Sequence, residues 1–134
     1  MRIREMIEDL EDVLKECEAV KGYEIAVASF DKEEPGEINV IYIGACHTDD
    51  RQQFYLVPSG AEPFYNLEPQ PMSAGWLLAS LKALGDEVLT YKVFVWDQVG
   101  QMPDGSIASI NKPLWATGIH DEAQLVYFYY GDMP

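Results

Sequence analysis

The stretch Gly44-Ala45-Cys46-His47-Thr48-Asp49-Asp50 places a thiol, an imidazole and two carboxylates within five positions. Those residue types support two chemistries, a thiolate nucleophile activated by an imidazole and a divalent metal held by histidine and carboxylate. Neighbours in extended chain point to opposite faces, so His47 is badly placed to take the proton of Cys46. His120 is the alternative base, but nothing in the sequence requires it to approach, and a small buried thiol accounts for Cys46 equally well. The metal reading has more support. His47 and Asp49 share a face of an extended chain, and His120-Asp121-Glu122 forms a second histidine–acid cluster after "TGI", as the first follows "GA". Two histidines and a carboxylate suit zinc or iron. Against it, the spacing matches no ligand motif, and Asp, Thr and Glu are ordinary turn residues. The stretch is therefore read as the turn of a hairpin, and no metal or cofactor is expected. Asp97, directly after "VFVW", is the acid expected to start partly buried, opening a turn over 97–105. The ten glycines stand singly at element ends rather than in a phosphate loop, and no serine carries a nucleophile-elbow pattern.

The elements that would position these groups follow from periodicity. Ile3, Met6, Leu10, Val13, Cys17 and Val20 recur at steps of three and four, which predicts an amphipathic helix over 3–20 ended by Gly22. Its other face is acidic (Glu5, Asp9, Asp12, Glu16) and is expected to do little beyond solvating the protein. Strands are predicted over 23–30, 38–44 and 51–57, with Pro35-Gly36 in the first turn and "ACHTDD" in the second. Residues 58–72 hold four prolines and no period, a loop long enough to be functional or mobile, with Phe64 and Tyr65 pinning it. Ser73 caps a second helix over 74–84, stopped by Gly85. Its stripe is Leu77, Leu78, Leu81 and Leu84; the other side offers Gly75, Ala79 and Ala83, small and neutral enough to be covered. Strands over 88–96, 106–110, 114–119 and 124–130 complete an antiparallel meander. No internal repeat is visible. The class is α+β: one domain over 1–134, a largely antiparallel sheet, open or curled, with both helices on one face.

Four consecutive aromatics, Tyr127 to Tyr130, send two rings to each side of the sheet, and Tyr91, Trp96 and Trp115 lie on neighbouring strands. One set belongs to the core under the helices. The other needs a ligand, a loop or a second subunit, because Tyr and Trp are favoured at interfaces. The candidate interaction residues are thus Tyr91, Trp96, Trp115, Tyr127 and Tyr129, with Gly75 and Ala79 on the helix as the competing surface.

Nine Lys and Arg stand against 23 Asp and Glu, a formal charge of −14, so the chain lacks the cationic stripe that nucleic acid or an anionic membrane requires. The first residues show no signal-peptide pattern, no run is long enough to span a bilayer, and two cysteines make no disulfide framework, which together point to the cytoplasm. The expected activity is non-enzymatic: a homodimeric binding protein, itself an acidic inhibitor or immunity-type protein for a basic partner. The competing expectation is a small enzyme or ligand binder, with an aromatic pocket carrying His47 or His120.

Overall fold

Ile3–Glu16 forms α1, whose Ile3, Met6 and Leu10 are completely buried and whose Glu5 accepts a hydrogen bond from the Arg2 N–H at the first turn. The helix ends four residues earlier than its apolar period predicts. Cys17 takes an extended conformation, and a short 3-10 turn, Glu18–Gly22, buries Val20 by a different route. Tertiary placement of Val20, rather than continued helix, satisfies the apolar period there. The computed structural model describes residues 1–30, 33, 34, 36–48 and 52–131, with the backbone alone for 97–100 and 107–110.

Six strands follow in two sets: β1 Glu24–Phe30, β2 Ile38–Thr48, β3 Gln53–Pro58, then β4 Lys92–Gln101, β5 Ile107–His120 and β6 Leu125–Tyr130, with α2 (Ala74–Ala83) between the sets. The strands close into a barrel in chain order. Four of its pairs are antiparallel, whereas β3–β4 and β6–β1 are parallel, so the sheet is mixed and curls completely. Four predicted boundaries differ from this, one being the turn expected over 97–105, since β4 runs through Asp97, opposite Ile110, to Gln101. Residues 88–91 are not strand: Asp86–Val88 is a 3-10 turn, and β4 begins at Lys92. The predicted strands 106–110 and 114–119 are one long strand, β5, running through Asn111-Lys112-Pro113. The stretch Ala45–Thr48 is strand rather than turn, with Cys46 opposite Leu56 and His47 opposite Tyr55. Pairing simply continues further along β2 than the polar composition suggests.

The hydrogen bonding repeats between the two halves, although the sequence does not. Long strand β2 pairs with β1 through Ile38–Tyr42, bulges between Ile43 and Ala45, and then pairs with β3. Strand β5 pairs with β4 up to Pro113, bulges between Leu114 and Ala116, and then pairs with β6. Each helix enters through the same pair of bonds: Val93 N–H to Met1 O and Ile3 N–H to Tyr91 O before α1, Ile25 N–H to Met72 O and Ala74 N–H to Tyr23 O before α2. The buried positions Ile3, Met6 and Leu10 are matched by Ala74, Leu77 and Leu81. Gln52 and Gln124, just before β3 and β6, also agree in adopting positive φ.

Both helices bury their stripes in one cluster with a single face of the strands, including Ile25, Val27, Phe54, Leu56, Val93, Val95, Val126 and Phe128. Ser73 caps α2 as expected, its hydroxyl accepting from the Trp76 N–H, and Gly85 follows the helix with φ of 89°. The small side of α2 is covered by its own chain only at Gly75, and Ala83 is exposed. A Cβ on Gly75 would meet Lys21 at 2.7 Å, and Lys82 pairs with Glu11 of α1 at 3.1 Å, while Ala79 stays exposed. The acidic face of α1 is also more engaged than expected, because Asp9 accepts a hydrogen bond from Thr117 Oγ1 at 2.7 Å.

Candidate functional site

The closed sheet has a second face, turned away from the helices, and it carries two separate apolar clusters. The bulges of β2 and β5 divide it into two halves. On the first half, Trp96 of β4 is stacked by Tyr55 at 4.7 Å and by Tyr65 at 3.8 Å. Tyr65 comes from the proline-rich loop, which here folds as a 3-10 turn, Glu62–Tyr65, and then runs back across β2. Gln70 fixes that return: its N–H donates to Gly44 O, and its Oε1 accepts from the Cys46 N–H. Tyr65 thus pins the loop as expected, whereas Phe64 remains 41% exposed.

The second half has no such cover among the described residues. Cross-strand neighbours share a face, so the register places Val40 and Tyr42 beside Ala28 and Ala26, Ile38 beside Phe30, and Tyr127 and Tyr129 beside Gly118 and Ala116. Trp115 stacks on Tyr129 at 5.3 Å, and Tyr129 on Phe30 at 5.3 Å with their planes parallel. The Trp115 indole N–H donates to Gly131 O, which fixes the ring on this surface. Gly118 lies directly under the Tyr127 ring, where a Cβ would come within 2.7 Å of it. The Tyr129 hydroxyl donates to Tyr127 at 3.4 Å, and that bond, with burial second, pushes its pKa up to about 12. Tyr42 is 48% exposed and Val40 38%. From Ile38 to Tyr42, Ala26 to Phe30 and Tyr127 to Tyr129, no side chain on this face is charged, in a protein with a formal charge of −14.

The predicted aromatic lining is therefore dispersed. Tyr91 packs against the helix-side core, Trp96 lies under the loop, and Trp115, Tyr127 and Tyr129 share the open half of the other face. Between the sheet and α2 a cavity of about 260 Å³ is lined by Cys46, His47, Phe54, Trp76, Ser80 and Leu84, among others, and by none of the predicted aromatics. Val40 and Tyr42 were missed by the sequence reading. Their signal was "INVIYIG", apolar at alternate positions on both sides, which burial between two layers explains as readily as exposure does.

The residues with chemical potential do not converge. His47 is exposed and lies 6.1 Å from Trp96, ring to ring. Cys46 joins the helix-side core instead, so the two point apart. Burial pushes the Cys46 thiol up to about 11. His120 is exposed at the end of β5, and its Nδ1 accepts from the Ala123 N–H, closing its own turn. Asp121, beside it, accepts from the Tyr23 hydroxyl at 2.9 Å, a bond that raises the tyrosine pKa. Among the described residues no three His, Cys, Asp or Glu side chains gather as a metal site. Asp49 and the side chain of Asp97 lie outside the described residues.

Cys46 gives a direct chemical check. At pH 8, three units below its pKa, roughly one molecule in a thousand carries the thiolate. Iodoacetamide at that pH is expected to alkylate exposed Cys17 and to leave Cys46 unmodified until the protein is unfolded, as read by peptide mass spectrometry. Equal rates at both cysteines would mean that the thiol is neither shielded nor held protonated.

No protein-family model, curated protein or solved structure matches this chain. Among the described residues no helix is long and apolar enough to cross a membrane.

Proposed function

We propose that this protein is a non-enzymatic interaction protein that pairs with a second copy of itself through the aromatic face of Ile38–Tyr42, Phe30, Trp115, Tyr127 and Tyr129. One observation carries the reading: of two equivalent outer surfaces, one is covered by the chain's own Tyr65 and the other leaves Tyr42 and Val40 open. An uncharged patch suits a partner with the same net charge, because it keeps the acidic surfaces of the two copies away from the contact. A two-fold pairing also needs only one self-complementary patch, and it is the commonest assembly of soluble proteins. Dispersal of the histidines, Cys46 and the aromatics supports binding rather than catalysis. The remaining acidic surface suits a basic partner, and a cytoplasmic setting is consistent with the unpaired cysteines.

Light scattering at micromolar concentration is the test. The expected result is a dimer in the wild type and a monomer of unchanged circular dichroism in Tyr42→Glu and Val40→Glu. Both positions are exposed in the single chain, so a charge there costs the fold little, yet it is unpaired at the centre of the contact. A wild-type monomer at every concentration, or a dimer that survives both substitutions, would overturn the reading.

A further inference from the structure

A second site lies where the proline-rich loop crosses the bulge of β2. Glu62 is 4% exposed, the one charged side chain found buried among the described residues. Its Oε2 accepts from the Gly60 N–H at 2.8 Å. Its Oε1 rests against the α-carbon of Gly44, where a Cβ would be 1.7 Å away, and among the described residues no donor or cation reaches that oxygen. The carboxylate forms part of the wall of a cleft of about 530 Å³ whose other polar groups include Glu24, Ser59 and Ser73, with Pro69 and Pro71 as apolar walls. That oxygen opens on the cleft rather than being sealed in the protein, so a cation entering the cleft can reach it.

The fold itself does not demand acid here. The corresponding cleft of the other half has Arg2 at the position of Ser73 and Lys92 at that of Glu24, joined by the same type of bridge. The two halves thus build one backbone seam with different charges, Arg2 and Lys92 beside Glu5 in one, and Glu24 with Glu62 from the loop in the other.

We propose that this cleft binds an alkylammonium or guanidinium group on an aliphatic stem, as presented by a lysine or arginine side chain of a basic protein partner. The dimensions and the lining favour this over a metal ion. Calcium needs six to eight oxygens, whereas the buried part of this site offers one free carboxylate oxygen. The proline walls match the aliphatic stem that lysine and arginine bury behind their charge. The site is independent of self-association, since none of its donors belongs to the aromatic stack.

Titration of the labelled protein with a blocked Gly-Arg-Gly peptide, followed by amide shifts, tests the proposal. Saturable shifts are expected at Gly44, Gly60, Glu62 and Ser73, absent with the norleucine analogue, which keeps the stem and lacks the charge. Glu62→Gln should weaken binding about tenfold or more, as removal of one member of a desolvated charge pair does. Exposed Glu24 can be changed to Gln without risk to the fold and should weaken binding to a smaller extent. Spermidine binding tighter than the peptide would uphold the cation site and assign it to a free polyamine. Norleucine shifts equal to those of arginine, binding unchanged in both variants, or saturation by calcium at lower concentration than by the peptide would each overturn it. Sedimentation of the same samples separates this outcome from self-association: a monomer that binds the peptide retains the site, and a dimer that does not has lost only the site.

Discussion

Gly44→Ala is expected to destabilise the fold by about 3 kcal/mol, the upper end of what an overpacked methyl group costs. The added carbon would come 1.7 Å from Glu62 Oε1 and 2.7 Å from its Cδ, so the carboxylate must leave its seat. Leaving it also breaks the bond from the Gly60 N–H and disturbs the turn that places Tyr65 on Trp96. The nearest backbone atom to the new methyl is Ser59 Cα at 3.0 Å, a strain that a shift of a few tenths of an ångström relieves. Most of the loss therefore belongs to the clash with Glu62. Combining Gly44→Ala with Glu62→Ala should recover a large part of it, giving a coupling of at least about 1 kcal/mol in a double-mutant cycle. Urea unfolding at one fixed protein concentration measures all four proteins, so that association contributes equally. Strictly additive losses would mean that Gly44 is required by the bulge itself and that the buried carboxylate is incidental to it.

The legible and illegible parts of this fold divide along the distance over which each is decided. The helical stripe Ile3, Met6 and Leu10, the Ser73 cap and the division of Tyr23, Ile25 and Val27 from Ala26 and Ala28 are local patterns, and each appears where the sequence places it. Chain closure is different. It depends on parallel pairing of Glu24–Ala28 with Leu125–Tyr129, partners about a hundred residues apart, and no local pattern distinguishes parallel from antiparallel seams. "VLTY" reads as strand by β-branched and aromatic content, but Tyr91 and Leu89 are occupied in receiving the start of α1 through their carbonyls. The duplication is hidden because few matched positions keep the residue, as Leu10 with Leu81 and Gln52 with Gln124 do, and others share only size and burial, as Met6 with Leu77 and Ile43 with Leu114. Glu62 was illegible for another reason. One acid among 23 gains meaning only when a glycine on a different strand leaves it room.

The second large effect separates the two tryptophans that occupy the outer face. Trp96 is 7% exposed and sandwiched by Tyr55 and Tyr65 within one chain. Trp96→Ala should cost about 3–5 kcal/mol, the usual loss for a large aromatic removed from a packed site. The folded molecules that remain should associate as the wild type does. Trp115 is only partly buried in the single chain, held by Tyr129, Phe30 and a bond from its indole N–H to Gly131 O. Trp115→Ala should cost the monomer less than about 2 kcal/mol, since part of its surface has no covering layer to lose. Its effect should fall on the dimer, raising the dissociation constant roughly 30-fold, which is the 2 kcal/mol expected of an aromatic anchor near the centre of a contact. Denaturation at fixed concentration reads the first quantity and sedimentation equilibrium the second. If Trp115→Ala destabilises the chain as much as Trp96→Ala and leaves association unchanged, the second aromatic stack is an ordinary part of the core, and the pairing surface must be sought elsewhere. If the two variants divide as described, equivalent surfaces of one repeated fold have been put to opposite uses, one closed by its own loop and one kept open for a partner.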